Sequence, residues 1–185
     1  MQEWKEKRLT IRHYDRQAII YDIQYLGEQT SKIEEILKRM KFKSKEQVLD
    51  LGCGTGFLFQ HIPERVGLIV GLDLSQKALQ ETKKRTKDLP NVFIVRADAD
   101  NTPFPAQIFD KIFAITILQN MPAPTKTIIE MKRIGKSQAI FAVTGLKKKF
   151  TPKSFVDLLE RLDLKVVMLN TNPLLKGHIV ICTNP

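Results

Sequence analysis

At 185 residues, 43% apolar and 27% charged, the chain is long enough to bury one core, and its composition excludes a disordered polymer. No apolar run approaches the roughly 18 residues of a membrane span, residues 1–8 lack the apolar stretch of a secretory signal, and two distant cysteines, Cys53 and Cys182, exclude a disulfide framework or a metal-type spacing. The formal net charge of +10 leaves two readings open, a polyanionic partner such as RNA or a solvated lysine-rich surface; a cytoplasmic location and no membrane partner are expected.

Short Val/Ile/Phe-rich runs alternate with stretches of helical period, which predicts a parallel sheet with helices on both faces. Residues 1–40 read as a helical cover and residues 47–185 as the core of one domain. Within the cover, residues 11–25 are partly helical, and a clear helix runs over 31–40. Ile33, Ile36, Leu37 and Met40 form its stripe and Ser31 its N-cap. Strands follow at 47–51, 68–72, 92–96, 110–118 and 139–144. Helices are expected from about Thr55 to Pro63, from the Ser75 cap to about Lys87, and over 124–134. Thr151-Pro152 opens a further helix, N-cap followed by proline at the first helical position. The last two strands, 165–170 and 178–183, are joined by so short a loop that they must pair antiparallel. The expected fold is a three-layer α/β/α sandwich whose seven-stranded, mostly parallel, doubly wound sheet has its last strand antiparallel.

The first strand runs into Gly52-Cys53-Gly54-Thr55-Gly56. Glycine lets the backbone take φ > 0 and approach a ligand closely. In doubly wound sheets ligands sit beyond the strand carboxyl ends. A dinucleotide fold would show G-x-G-x-x-G, whereas Phe57 stands where its third glycine belongs. Asp50, inside the strand end, would repel a pyrophosphate and suit a phosphate-free ligand with a cationic amino group, such as S-adenosylmethionine.

Residues 49–56 resemble motif I of the class I S-adenosylmethionine-dependent methyltransferases. Three further segments agree in order: Gly71-Leu72-Asp73-Leu74-Ser75, then residues 97–104 with Asp98 and Ala99, then residues 109–120. The resemblance spans nearly the whole chain. It departs at residues 133–137, where many relatives carry Pro-Gly-Gly. It implies S-adenosylmethionine as methyl donor, with S-adenosylhomocysteine as product. It further implies that Asp73 accepts from the ribose hydroxyls, that Leu74 packs on adenine, and that Asp98 and the Ala99 N–H meet the adenine edge. Gly52 and Gly54 admit the methionine moiety, Asp50 orders the loop or meets the ammonium, and the Thr116 backbone lines the methyl-donor channel. Cys53 is a small buried side chain of the turn. Tyr21 or Tyr14 covers the cofactor or packs in the core. Asp100 is expected to be a solvated loop carboxylate. Gln119 and Asn120 either bind an acceptor or cap a turn.

The donor is a good leaving group, so alignment carries most of the chemistry, and none of His13, His61 or His178 is singled out as a base. For the acceptor, the lysines at 147–149 after the fifth strand and Lys5, Lys7, Arg8 and Arg12 favour RNA, tRNA or rRNA. A small-molecule acceptor and a non-catalytic cofactor-binding subunit are the alternatives. Compact members of this fold sometimes use a small activator protein, which is a second expected partner.

Overall fold

The computed structural model describes residues 2–185, except the side chains of Gln17, Ala18, Ile19 and Tyr21. Strands separated by long connections pair parallel and those separated by a short loop pair antiparallel, and the sheet follows that rule. Strands β1 (Gln47–Leu51), β2 (Leu68–Asp73), β3 (Val92–Arg96), β4 (Phe109–Ala114), β5 (Gly135–Leu146), β6 (Lys165–Asn170) and β7 (Gly177–Thr183) stand in the order β3-β2-β1-β4-β5-β7-β6. Only β7 runs antiparallel to its neighbours. The chain winds outward from β1 to β3, then restarts at β4 on the other side, so the strand order reverses between β1 and β4.

Helices α2 (Gln76–Arg85), α3 (Pro124–Ile134) and α4 (Pro152–Glu160) join α1 (Gln2–Leu37) around the sheet. Local chemistry sets their starts. Ser75 accepts from the Ala78 amide, α3 opens on proline, and Thr151 and Ser154 form a reciprocal capping box. One apolar cluster gathers Phe109 and Phe141 with Ile128 and Met131 of α3 and Phe155 and Leu159 of α4. A second joins Ile33 and Ile36 of α1 to Phe57, Leu58, Phe59, Ile69 and Leu79. Burying each such side chain contributes about 1.5–3 kcal/mol.

Four expectations need correction. The helix read from Ser31 is only the last two turns of one 36-residue helix that ends at Leu37, with Ser31 in its interior and no break at Gly27. After the glycine turn there is no α-helix but two 3₁₀ turns, Phe57–Gln60 and Pro63–Arg65. Three consecutive side chains there, Phe57, Leu58 and Phe59, are all buried, which one face of an α-helix does not accommodate, and Pro63 opens the second turn. The fourth strand stops at Ala114, because Thr116 takes φ 65 and leaves the extended region. The fifth begins at Gly135 rather than Ala139: α3 passes directly into β5 where relatives carry Pro-Gly-Gly, with Gln138 at φ 64 absorbing the irregularity.

Gly71, central in β2, is a close-approach position. A Cβ there would lie 2.6 Å from Phe59 Cζ and 3.0 Å from Cys53 Sγ. Gly71→Ala is therefore expected to destabilise the fold by ~1–3 kcal/mol, read as a lowered Tm with an unchanged far-ultraviolet spectrum.

Candidate functional site

Every strand tip around the reversal of strand order points into one cleft of about 1120 Å³ of empty space, its open mouth included. The β1 end supplies Asp50, Gly52, Cys53 and Gly54; β2 supplies Asp73 and Leu74; the turn after β3 supplies Ala97, Asp98 and Ala99; the turn after β4 supplies Ile115, Thr116 and Ile117. Of the ten residues expected to hold a cofactor, nine line this cleft. The tenth, Tyr21, has its side chain outside the described residues. Gly54 sits at φ 55, and a Cβ on it would meet nothing within 4 Å. Its lack of a side chain thus keeps open space open, and the left-handed backbone favours glycine there.

Helix α1 closes the cleft from above through Lys7, Thr10, Ile11, Tyr14, Gln29 and Ile33. It crosses the tips in sheet order, and a polar group meets each in turn. Lys7 binds both oxygens of Asp98 at 2.8 Å, after β3. Asp15 accepts from the Ser75 hydroxyl and the Lys77 amide, after β2. Asp22 accepts from the Thr55 hydroxyl at 2.6 Å and pairs with Arg85, beside the β1 turn. Gln29 and Lys32 meet the Thr116 hydroxyl at 3.2 Å, after β4.

The floor holds two neighbouring carboxylates, Asp50 buried and Asp73 half-buried. Asp73 accepts from the Gly54 amide at 2.9 Å and the Ser75 amide at 2.8 Å. Burial nevertheless raises its pKa above the ordinary carboxylate value, against those bonds. Burial, aided by the neighbouring Asp73, pushes Asp50 up to about 8. Two carboxylates side by side favour a cation or a hydroxyl-bearing ligand over an anion. Burial likewise raises the Cys53 thiol well above its usual value, so Cys53 is not a reactive thiolate.

Thr116 is a β-branched residue in the left-handed region, a conformation costing about 1–3 kcal/mol. Its polar groups are all engaged. The amide donates to the Thr144 hydroxyl at 2.7 Å, and the carbonyl accepts from Gln119 and Asn120. The hydroxyl accepts from the Lys32 ammonium and donates to Gln29 Oε1. Lys32 is buried, held also by Glu28 at 3.1 Å, and its burial lowers its pKa. Gln119 and Asn120 therefore act as turn caps, and Asn120 additionally donates to the Tyr14 hydroxyl at 2.8 Å.

Several side chains stand apart from their expected roles. Asp100 is not solvated: it is buried between Lys7 and the Thr127 hydroxyl. Lys7 faces the cleft rather than solvent. The 147–149 run lies outside the cleft lining, with Lys147 donating to the Asn172 carbonyl at 2.7 Å. None of the three histidines lines the cleft; His178 is buried with Nε2 3.1 Å from the Phe150 carbonyl. Lys7, Gln29, Lys32 and Ile33 went unread as site residues. Their partners lie far away in sequence, and only the helical spacing of 7, 11, 14, 29 and 33 hints that they share a face.

Comparison with known proteins places this geometry. A family described as a methyltransferase domain matches residues 42–172. The chain is 33% identical over 131 residues to a demethylmenaquinone methyltransferase of Geobacillus, covering 68% of this chain and 54% of that protein. It is 30% identical over 151 residues to the 2-phytyl-1,4-naphtoquinone methyltransferase of Synechococcus elongatus, covering 75% and 64%. Among solved structures, a putative S-adenosyl-L-methionine-dependent methyltransferase of Methanococcus maripaludis superposes with a TM-score of 0.77 at 16% identity, over 94% of this chain and 93% of that one. The chain spans about half the length of the first of these curated relatives.

Two outcomes test the site in the ligand-free protein. Asp50 binds a proton more tightly folded than unfolded, so its contribution to stability is lost as pH rises from about 4 to about 8. Asp50→Asn removes that loss. Its stability relative to the parent, read by urea unfolding, is expected to grow across that window, by at least ~1 kcal/mol, and to level off above it. Thr116→Val keeps the left-handed strain and removes both hydroxyl bonds, whereas Thr116→Gly removes the strain as well. Urea unfolding is expected to show the valine variant less stable than the glycine variant by ~1–2 kcal/mol.

Proposed function

The chain belongs to the class I S-adenosylmethionine-dependent methyltransferases, and from that premise we propose that it methylates a small, largely apolar acceptor held beneath helix α1. When bound, S-adenosylmethionine supplies a methyl group on a sulfonium centre. The residues fit that molecule: two carboxylates, Asp50 and Asp73, face the cleft, and the Gly54 backbone leaves room beside them.

In this reading Asp73 keeps its lone pairs beyond the Gly54 and Ser75 amides for the ribose hydroxyls, and Leu74 packs on the adenine face. The Ala99 amide and Asp98 meet the adenine edge. Asp98 already holds the Lys7 ammonium on both oxygens, so an exocyclic amine bound there would share that carboxylate with Lys7. Asp50 is the carboxylate suited to the ammonium, which would favour its ionised form. Tyr14, Gly52 and the rigid Thr116 turn fix the methionine end, so that the acceptor and the methyl carbon meet in line.

The observation that carries the small-acceptor reading is the roof itself. Ile11, Tyr14 and Ile33 of α1, with Ile117 and Met121 opposite, give the cleft a mostly apolar lining under a helix that spans the strand tips. The names of the relatives, both methylating naphthoquinone-type molecules, support it. The lysines that favoured RNA lend that alternative less support, because Lys7 is engaged inside the cleft and the 147–149 run lies away from it.

The test is transfer of label from S-adenosylmethionine, comparing a reduced 1,4-naphthoquinone with total tRNA. Label is expected in the organic extract, and label confined to the RNA would overturn the reading. Asp73→Ala is expected to weaken S-adenosylmethionine binding at least tenfold by calorimetry while the chain stays folded, with a Tm lowered by the loss of the Gly54 and Ser75 amide bonds. Unchanged affinity would remove Asp73 from the ribose.

A further inference from the structure

Helix α1 has a second face. From Arg8 to Gly27 the chain carries two acids, Asp15 and Asp22, and both turn toward the core, onto Ser75 and onto Thr55 and Arg85. Among the described residues of this stretch, Arg8, Arg12 and Arg16 are exposed, and so are Leu9, Ile20, Ile23 and Leu26, with Ile23 84% accessible, beside His13 and Gln24. Leu9, Arg12, Arg16, Ile20 and Ile23 share one face by the helical period, with Arg8 and Leu26 at its margin. An outer face that is apolar and cationic, with its acids withdrawn, is not that of an ordinary solvated helix, which disperses both charge signs.

We propose that the outer face of α1 docks on an anionic lipid surface. Apolar side chains between arginines match the boundary of headgroup and acyl chain, where each kind finds its own partner. An RNA backbone would engage the arginines but leave Leu9, Ile20 and Ile23 in water. No described helix is long and apolar enough to cross a membrane, so the attachment is peripheral, a different matter from the spanning segment that the sequence excludes. The docking face and the cleft roof are opposite sides of the same helix, so a lipid-soluble acceptor would reach the site from the surface on which the helix lies. The surface itself is argued from α1 alone and stands whether or not the acceptor is a quinone.

Co-sedimentation with phosphatidylcholine vesicles, with and without phosphatidylglycerol, tests it on the full chain. The parent is expected to bind the anionic vesicles at least tenfold more tightly than the neutral ones. Arg12→Glu with Arg16→Glu, and separately Ile20→Glu with Ile23→Glu, are each expected to lose about tenfold on anionic vesicles. Ile23→Ala, at a position too exposed to matter for folding, is expected to lose less, in the same direction. Absence of parent binding to either vesicle overturns the proposal. So does an Ile23→Ala variant that binds like the parent, which would mean adsorption by charge alone. Tighter binding of total tRNA than of vesicles would assign the face to nucleic acid. A dimer seen by analytical ultracentrifugation without lipid, and abolished by Ile23→Ala, would assign it to a second copy.

Discussion

The structure depends on polar groups of α1 facing inward. A helix laid over the carboxyl ends of a parallel sheet meets loops, exposed amides and carboxylates rather than an apolar face, so apolar side chains alone cannot hold it there. Lys7, Asp15, Asp22 and Gln29 each meet a group at a different strand tip. Several of these contacts are partly buried and charge-assisted, where hydrogen bonds are stronger than at the surface. The cleft exists because that roof stands off the sheet at the point where the strand order reverses.

The same constraint explains which parts of the chain could be read from its sequence. The strands were legible because each is a short run rich in β-branched or aromatic residues bounded by turn residues, and α3 because Pro124 and Gly135 mark its ends. The strand-tip carboxylates Asp50, Asp73 and Asp98 were legible because their positions relative to the glycine turn are local facts. Helix α1 was not. Hydrophobic periodicity presumes that polar residues face water, and here Lys7, Asp15, Asp22 and Lys32 face protein while Leu9, Ile20 and Ile23 face out. Lys7 finds its carboxylate 91 residues away and Lys32 its threonine 84 residues away, separations at which no spacing rule operates. The missing helix after the glycine turn has a related cause: burial of three adjacent side chains overrode a pattern that reads as helix start.

The two ends of the cleft are built on different principles. At the β1–β2 end the chain leaves two carboxylates facing the cleft, Asp50 buried and Asp73 half-buried, with capacity to receive a ligand. At the β4 end Thr116 is committed to the fold: it is held in a strained conformation with its amide, carbonyl and hydroxyl all engaged, and Lys32 and Gln29 brace it from the roof. A family whose chemistry is alignment gains from that division, since recognition tolerates adjustment and in-line displacement does not.

The grip of α1 also changes character along its length. Ile33 and Ile36 belong to the apolar core, whereas the contacts nearer the N-terminus run through ion pairs and charge-assisted hydrogen bonds. Ionic strength acts on the second kind of attachment and hardly on the first. Cooling weakens the first, because the hydrophobic drive fades with falling temperature. One uninterrupted rod thus carries two fastenings that answer to separate solution variables, and the distal one lies over the β3 and β2 tips of the cleft.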